Sequence, residues 1–189
     1  MDAWAVTSFR IDDEIELRQF TPDDVDIVFA AVSRDAEHLM EFMHWMVPDY
    51  SREMSRDFLN SSIENRDKRE SLGYGILKSG MLVGSIGFVA FDWRSKSTEI
   101  GYWIDSREEG KGIVSRATKR LIDYAFSELD INRIEIRCAV ENLRSAAIPE
   151  RLGFKKEGCL RQSQFRNGKL HDFLVFGLLQ SEWQTDDHA

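Results

Sequence analysis

The chain has 189 residues, 42% of them hydrophobic, which suits one globular domain with a substantial core. Its 33 acidic and 25 basic residues leave a formal charge of −8, which disfavours generic nucleic-acid binding and is compatible with a cationic partner such as an amine. No apolar run reaches the ~18 residues of a membrane span, and Cys138 and Cys159 have no Cys-x-x-Cys or Cys/His spacing, which argues against a zinc site or any other metal centre.

The first residues are acidic and broken rather than signal-like, and with cysteines of reduced type they indicate a cytoplasmic protein. A single domain is expected over 1–189, with 1–13 and 184–189 as loose tails. Residues 14–18 (EIELR) read as a first strand, with Ile15 and Leu17 on one face. Thr21, Pro22 and Asp24 then open a helix as N-cap, first-position proline and third-position acid. Val25, Val28, Phe29 and Val32 supply its apolar face.

The stretch 38–50 (HLMEFMHWMVPDY) is rich in methionine and aromatics. Leu39, Phe42, Met43 and Met46 fall at helical spacing, as core residues would. The alternative is a substrate-facing wall, because methionine-rich surfaces adapt to ligands. His38 and His44 lack the i, i+4 spacing of helical metal ligands. A polar helix follows from Ser51 to about Lys68, with Met54, Phe58, Leu59 and Ile63 inward. Three strands come next: LGYGILK, MLVGSIGFVAF and TEIGYWI. The Ser79-Gly80 turn and a short polar loop join them as an antiparallel meander.

The stretch 99–129 organises the rest. It reads as strand, glycine-containing turn and long helix, with Gly110 and Gly112 on either side of Lys111. Val114, Ala117, Leu121, Ile122, Ala125, Phe126 and Leu129 mark the buried helix face. The first N–H groups of a helix lack intrahelical partners and lie at the positive end of its dipole. Glycines leave them open to a phosphate or pyrophosphate; tight-turn geometry alone is the alternative. No Gly-Lys-Ser/Thr follows and the third glycine of a dinucleotide fingerprint is absent. Residues 133–140 (RIEIRCAV) alternate as a strand, a short helix runs from Asn142 to the C-capping Gly153, and two strands flank Asn167-Gly168.

Arg107-Glu108-Glu109-Gly110-Lys111-Gly112 fits Q/R-x-x-G-x-G/A between a strand and a helix. Asn142-x-x-Ser145, followed by Glu150-Arg151-Leu152-Gly153-Phe154, matches a second motif. With both, the sequence resembles the GNAT superfamily of acyl-CoA-dependent N-acyltransferases. EIGYWI, RLGF-x-x-EG and NG-x-x-HD narrow the likeness to RimJ/RimL-type ribosomal-protein N-terminal acetyltransferases, over nearly the whole chain. The resemblance implies an α/β GNAT fold: one mixed, mostly antiparallel central sheet, splayed between two central strands and flanked by helices. It implies acetyl-CoA as co-substrate and no metal. Arg107, Glu108, Glu109, Gly110, Lys111, Gly112, Ile113 and Val114 would hold its pyrophosphate. Trp103, Ile104, Asn142 and Ser145 would border the pantetheine arm in the splay, where exposed backbone pairs with amides as a strand does. Simple helix capping is the other reading of Asn142.

The implied reaction is attack of a neutral amine on a thioester. An α-amine titrates near ~7.7–8 and a lysine near ~10.4, so the α-amine needs less help from a base. A bulge in the strand 99–104 would free an N–H of Trp103 or Ile104 for the carbonyl oxygen. Ser145 resembles the serine proposed as general acid in this branch; an ordinary cap hydroxyl is the alternative. Many family members use a tyrosine there, and none follows Asn142. The branch's candidate base is a glutamate, where this chain carries Gln164, an amide that takes no proton. Glu99 acting through water is the replacement, against a plain strand-face salt bridge; His171 and Asp172 are further candidates. The expected partner is a protein N-terminal α-amine, with a ribosomal protein as one acceptor, no nucleic acid, no membrane, and a homodimer as an assembly that relatives adopt. The rivals are a polyamine or aminoglycoside acceptor, whose site would draw on Glu37, Glu41 and Asp49, and a non-catalytic acyl-CoA-binding module.

Overall fold

Eight strands form one sheet in the order β1-β2-β3-β4-β5-β6-β8-β7 in the computed structural model, which describes residue 4 and residues 6–183. They are β1 (Ser8–Arg10), β2 (Ile15–Gln19), β3 (Leu72–Lys78), β4 (Met81–Asp92), β5 (Ser97–Ile104), β6 (Arg133–Ala139), β7 (Lys155–Arg166) and β8 (Lys169–Leu179). Five helices accompany them: α1 (Val25–Arg34), α2 (Ala36–Phe42), α3 (Arg52–Asp67), α4 (Ile113–Ser127) and α5 (Leu143–Arg151). Every strand pair is antiparallel except β5 with β6, whose parallel run is connected through α4. The sheet is therefore mixed and mostly antiparallel, as the resemblance implies.

The stretch 1–13 is not wholly a tail, because Ser8–Arg10 forms the edge strand β1. Phe9 supplies the reason: it is buried and meets Tyr124 edge-on at a centroid distance of 5.0 Å. Residues 184–189 lie outside the described residues.

Alternation gives the sheet two unlike faces. Leu72, Tyr74 and Ile76 of β3, Ile86 and Phe88 of β4, and Ile100 of β5 form one core with Ile113, Ala117, Leu121 and Ile122 of α4. The opposite face carries Gly73, Gly75, Ser85, Gly87 and Gly101 at the intervening positions. There a second core gathers Val28 and Val32 of α1, Leu59 of α3, Phe20 and Leu82. The stretch 38–50 divides between the second core and a cavity wall. The helix stops at Phe42 because Met43 turns extended (φ −96°, ψ 117°). Leu39 and Met46 are buried in the second core, whereas Phe42, Met43, Trp45 and Tyr50 line a cavity.

The feature that positions the site is a parting of strands. β5 and β6 pair only at Ser97↔Arg133, Thr98↔Ile134 and Glu99↔Glu135. Beyond Glu99, β5 stays with β4 as far as Ile104, and β6 stays with β8 as far as Ala139. A wedge opens between them. The bulge expected within 99–104 sits instead on the neighbouring strand. Phe88 faces Ile100 and Ala90 faces Glu99, which leaves Val89 as the extra residue of β4.

Candidate active site

The turn after β5 is fastened by a buried carboxylate. Asp105, its side chain 3% exposed, accepts from the Arg107 backbone N–H (3.0 Å), from Arg107 Nε and Nη2 (2.8 and 2.6 Å) and from Arg34 Nε (2.9 Å). Burial pushes its pKa up, but the Arg107 and Arg34 hydrogen bonds win and hold it down at about 2. One residue on, the Ser106 N–H and hydroxyl both donate to the Asp35 carboxylate at 2.7 Å. The C-terminal end of α1 thus fixes the turn.

This geometry redirects several side chains assigned to the cofactor. Arg107 folds back on Asp105, and neither Arg107 nor Lys111 lines the cavity beside the turn. Glu108 accepts from Lys78 Nζ (2.8 Å) and Lys111 Nζ (3.0 Å). Glu109 is paired with His38 Nε2 (3.0 Å) and with Arg144. Glu108, Glu109, Gly110, Gly112, Ile113 and Val114 do line that cavity, of about 560 Å³, together with residues of α2 and α5. The two carboxylates on its wall are thereby compensated by cations.

The cavity suits the pyrophosphate and arm of coenzyme A. Gly112 stands at φ +70° and Gly110 at φ +72°, conformations that glycine adopts without strain. A side chain at 110 would project into open space at the mouth of the helix. The first intrahelical bond of α4 runs from the Arg116 N–H to the Gly112 carbonyl (3.1 Å), so the N–H groups of Ile113, Val114 and Ser115 precede it and remain for an anion.

Backbone polarity along the wedge follows from one bond. The Asp105 N–H donates to the Val83 carbonyl (2.8 Å), and β5 keeps unbroken register with β4 from Ile104 back to Ile100. Alternation then turns the N–H groups of Trp103 and Gly101 toward β4 and those of Ile104 and Tyr102 toward the wedge. Of the two expected donors, Ile104 faces the opening. The Trp103 indole instead borders the cavities, 6.5 Å from Trp45.

Across the wedge, Asn142 Oδ1 accepts from the Ser145 N–H (3.0 Å) and caps α5, while Asn142 also lines both cavities. Capping and ligand contact are compatible here. Ser145 Oγ lies 3.3 Å from Tyr102 Oη, and Tyr102 Oη donates to the Ser145 carbonyl (3.2 Å). Burial raises the Tyr102 phenol, with the Ser145 hydrogen bond opposing. Burial likewise pushes the nearby Cys138 thiol up to about 11. Both groups therefore keep their protons at neutral pH. Sequence reasoning sought a tyrosine after Asn142 and missed Tyr102. Its signal was the alternation that puts Tyr102 on the opposite face of β5 from Glu99 and Trp103.

A second cavity, of about 610 Å³, lies on the α1/α3 side of the sheet. Glu99 lines it, 3.4 Å from Arg137 Nε, and burial raises its carboxyl pKa while Arg137 opposes. Glu99 is thus both a salt-bridge partner and a carboxylate shifted toward accepting a proton. Gln164 lines the same cavity, with Nε2 at 3.3 Å from His44 Nδ1 and Oε1 buried without a partner. The other base candidates are occupied. His171 Nδ1 meets Glu141 and its Nε2 faces the Arg166 carbonyl. Asp172 accepts from the Gln162 N–H (2.8 Å) where β7 slips register between Leu160 and Gln164. The two cavities share Phe42, Met43, Tyr102, Trp103, Asn142 and Ser145, and so meet at the wedge.

Among the described residues no group of three or more His, Cys, Asp or Glu is placed to hold a metal ion. No helix among the described residues is long and apolar enough to cross a membrane. Comparison with known proteins agrees with this architecture. The chain is 32% identical over 178 residues to YdaF of Bacillus subtilis (strain 168), provisionally named a ribosomal N-acetyltransferase, covering 94% of this chain and 97% of that protein. It is 27% identical to the ribosomal-protein-serine acetyltransferase of Escherichia coli (strain K12), covering 89% and 94%. The solved structure of RimL, a ribosomal L7/L12 alpha-N-protein acetyltransferase in complex with coenzyme A, superposes with a TM-score of 0.87 at 27% identity, covering 91% and 97%. Residues 14–155 match the family model described as an acetyltransferase (GNAT) domain. The family match over residues 14–155 and these near full-length likenesses place the chain in the GNAT family of acetyl-CoA-dependent N-acetyltransferases.

Proposed function

We propose that the enzyme acetylates the α-amine at the N-terminus of a protein, with ribosomal proteins as the first class to try. The observation that carries this reading is the meeting of two cavities at the wedge, which we read as a coenzyme A site and an acceptor site. Among the described residues lining the acceptor cavity, Glu99 is the one carboxylate. Glu37, Glu41 and Asp49 lie outside it and Arg137 balances Glu99 within it, so the site has no spare negative charge for a polyamine. Relatives named for ribosomal-protein acetylation support the same acceptor class.

Bound acetyl-CoA supplies an acetyl group activated as a thioester. The Ile104 N–H, with no partner strand on its side, is aimed to hydrogen-bond the acyl oxygen as charge gathers there. Glu99, directly or through water, takes the proton that the acceptor must lose; an α-amine near ~7.7–8 is already partly neutral, so a weak base suffices. Ser145 holds a proton for the departing sulfur, with the Tyr102 hydroxyl behind it. Thiol release from acetyl-CoA should be measured with N-terminal peptides of ribosomal proteins, with the same peptides blocked at the α-amine, and with spermidine. Turnover of free peptides alone is the expected result. Preference for spermidine, or equal turnover of blocked peptides carrying lysine, would overturn the acceptor assignment.

A further inference from the structure

Three glycines lie side by side in the floor of the acceptor cavity. Gly73 of β3 pairs with Gly87 of β4, and Gly87 pairs with Gly101 of β5, so three adjacent strands each place a glycine in one row. Directly paired residues point to the same face of a sheet, and all three glycines line the cavity. None of them is at positive φ, so backbone conformation does not call for glycine. At Gly87 a Cβ would collide with the Leu72 carbonyl, which is a packing reason. At Gly73 and Gly101 it would crowd side-chain atoms, Ser62 Oγ at 3.3 Å and Val89 Cγ2 at 2.8 Å, so packing favours a small residue there too, although these neighbours can shift more readily than backbone. Glycine weakens a strand interior and commonly marks the close approach of another group. Here the row clears a trench beneath α1 and α3.

The trench is apolar along its walls and uncharged at its far end. Val28, Val32, Trp45, Tyr50, Met54 and Phe58 flank it, and Ser61, Ser62 and Asn65 close it. It starts at the chemistry. Glu99, Gly101 and Trp103 share one face of β5, each about 7 Å from the next at two residues of strand rise. An amine held beside Glu99 and Trp103 therefore has its own substituent over Gly101, one side-chain length away.

We propose that the trench seats a large apolar side chain borne by the carbon that carries the acceptor amine. The substrate class is then an α-amine of the phenylalanine, leucine or methionine type, not a serine or alanine N-terminus and not a polycation. This rests on the amine-acceptor reading above and narrows it. The same chemistry is offered by a peptide N-terminus and by a free hydrophobic amino acid or arylalkylamine.

The test uses peptides identical except for residue 1 (Phe, Leu, Met, Ser, Ala or Lys), with free phenylalanine and phenylethylamine alongside. Thiol release gives kcat/KM, and calorimetry on the coenzyme A-loaded protein gives Kd. Phe, Leu and Met peptides are expected to exceed Ser and Ala peptides by about ten- to a hundredfold in kcat/KM, the range an apolar pocket can discriminate. Gly73→Ala, which raises the floor, should lower the Phe-to-Ser ratio. Peptides outrunning the free amines would assign the trench to a chain terminus, and the reverse to a small amine. Equal or better use of Ser or Ala peptides, or an unchanged ratio in Gly73→Ala, would overturn the proposal. If no amine is acetylated, the function proposed above fails, and the calorimetric ranking still decides the trench: tighter Phe binding upholds it and equal binding overturns it.

Discussion

Replacing Asp105 by asparagine should loosen the turn that carries the cofactor site, and the loss should depend on pH in a defined direction. The Asp105 carboxyl sits at about 2 in the folded protein against 3.8 ordinarily. At 1.36 kcal/mol per pH unit, this displacement corresponds to roughly 2 kcal/mol of stability. A depressed carboxylate contributes fully above its unfolded value, and the contribution fades as pH falls from about 4 toward 2. The side chain is 3% exposed, so water screens the ion pairs little. In Asp105→Asn the Arg34 guanidinium is left facing a neutral amide, which adds to the cost. Urea unfolding of both proteins at pH 7, 5, 4 and 3 measures the difference, and urea counters precipitation near the sequence pI of about 5.1. The variant should be less stable by roughly 2 kcal/mol or more at pH 7, with the gap closing below pH 4. Acetyl-CoA should also bind more weakly, because Ser106 and Gly110 lose their fixed frame. A gap that is flat with pH, or smaller than about 0.5 kcal/mol at pH 7, would refute the role given to this carboxylate.

Other changes separate the parts of the site. Ser145→Ala should lower kcat about a hundredfold with little change in the acetyl-CoA KM, as loss of a general acid does; a pure KM effect would contradict the assignment. Tyr102→Phe removes both hydrogen bonds between Tyr102 and Ser145 and should lower kcat by about two- to tenfold. Wild-type kcat/KM should fall as pH drops through the raised pKa of Glu99, and Glu99→Gln should lack this limb. Because a raised carboxyl disfavours the ionised folded state above that pKa, Glu99→Gln should not unfold more easily at pH 7, and calorimetry would show it. Gly112→Ala forces an L side chain into φ +70° and should cost about 1–2 kcal/mol, a Tm drop of roughly 2–8 °C, together with weaker coenzyme A binding.

The strands and most helices were legible because alternation and capping are local. Thr21 and Pro22 mark the start of the first helical segment as read, although Pro22–Asp24 is a 3-10 turn before α1 begins. Gly110 and Gly112 were readable as a helix-mouth pair because their spacing is short. What was not legible depends on register between distant segments. The parting of β5 from β6 relates residues about 36 positions apart, and neither strand's sequence announces where the pairing ends. The bulge fell on Val89 because β4, not β5, absorbs the extra residue. The side chains of Arg107 and Lys111 are engaged by Asp105 and Glu108, partners that the motif spacing alone does not announce. The glycines at 73, 87 and 101 were visible singly, but only strand pairing lines them up.

The measurement that tests the account most directly is transfer of isotopically labelled acetyl from acetyl-CoA into a cell extract separated into intact proteins and small molecules, with mass spectrometry locating the label. The account predicts label on the N-terminal α-amine of one or a few proteins. Label confined to lysine side chains or small amines, or no label while coenzyme A binds, would contradict it.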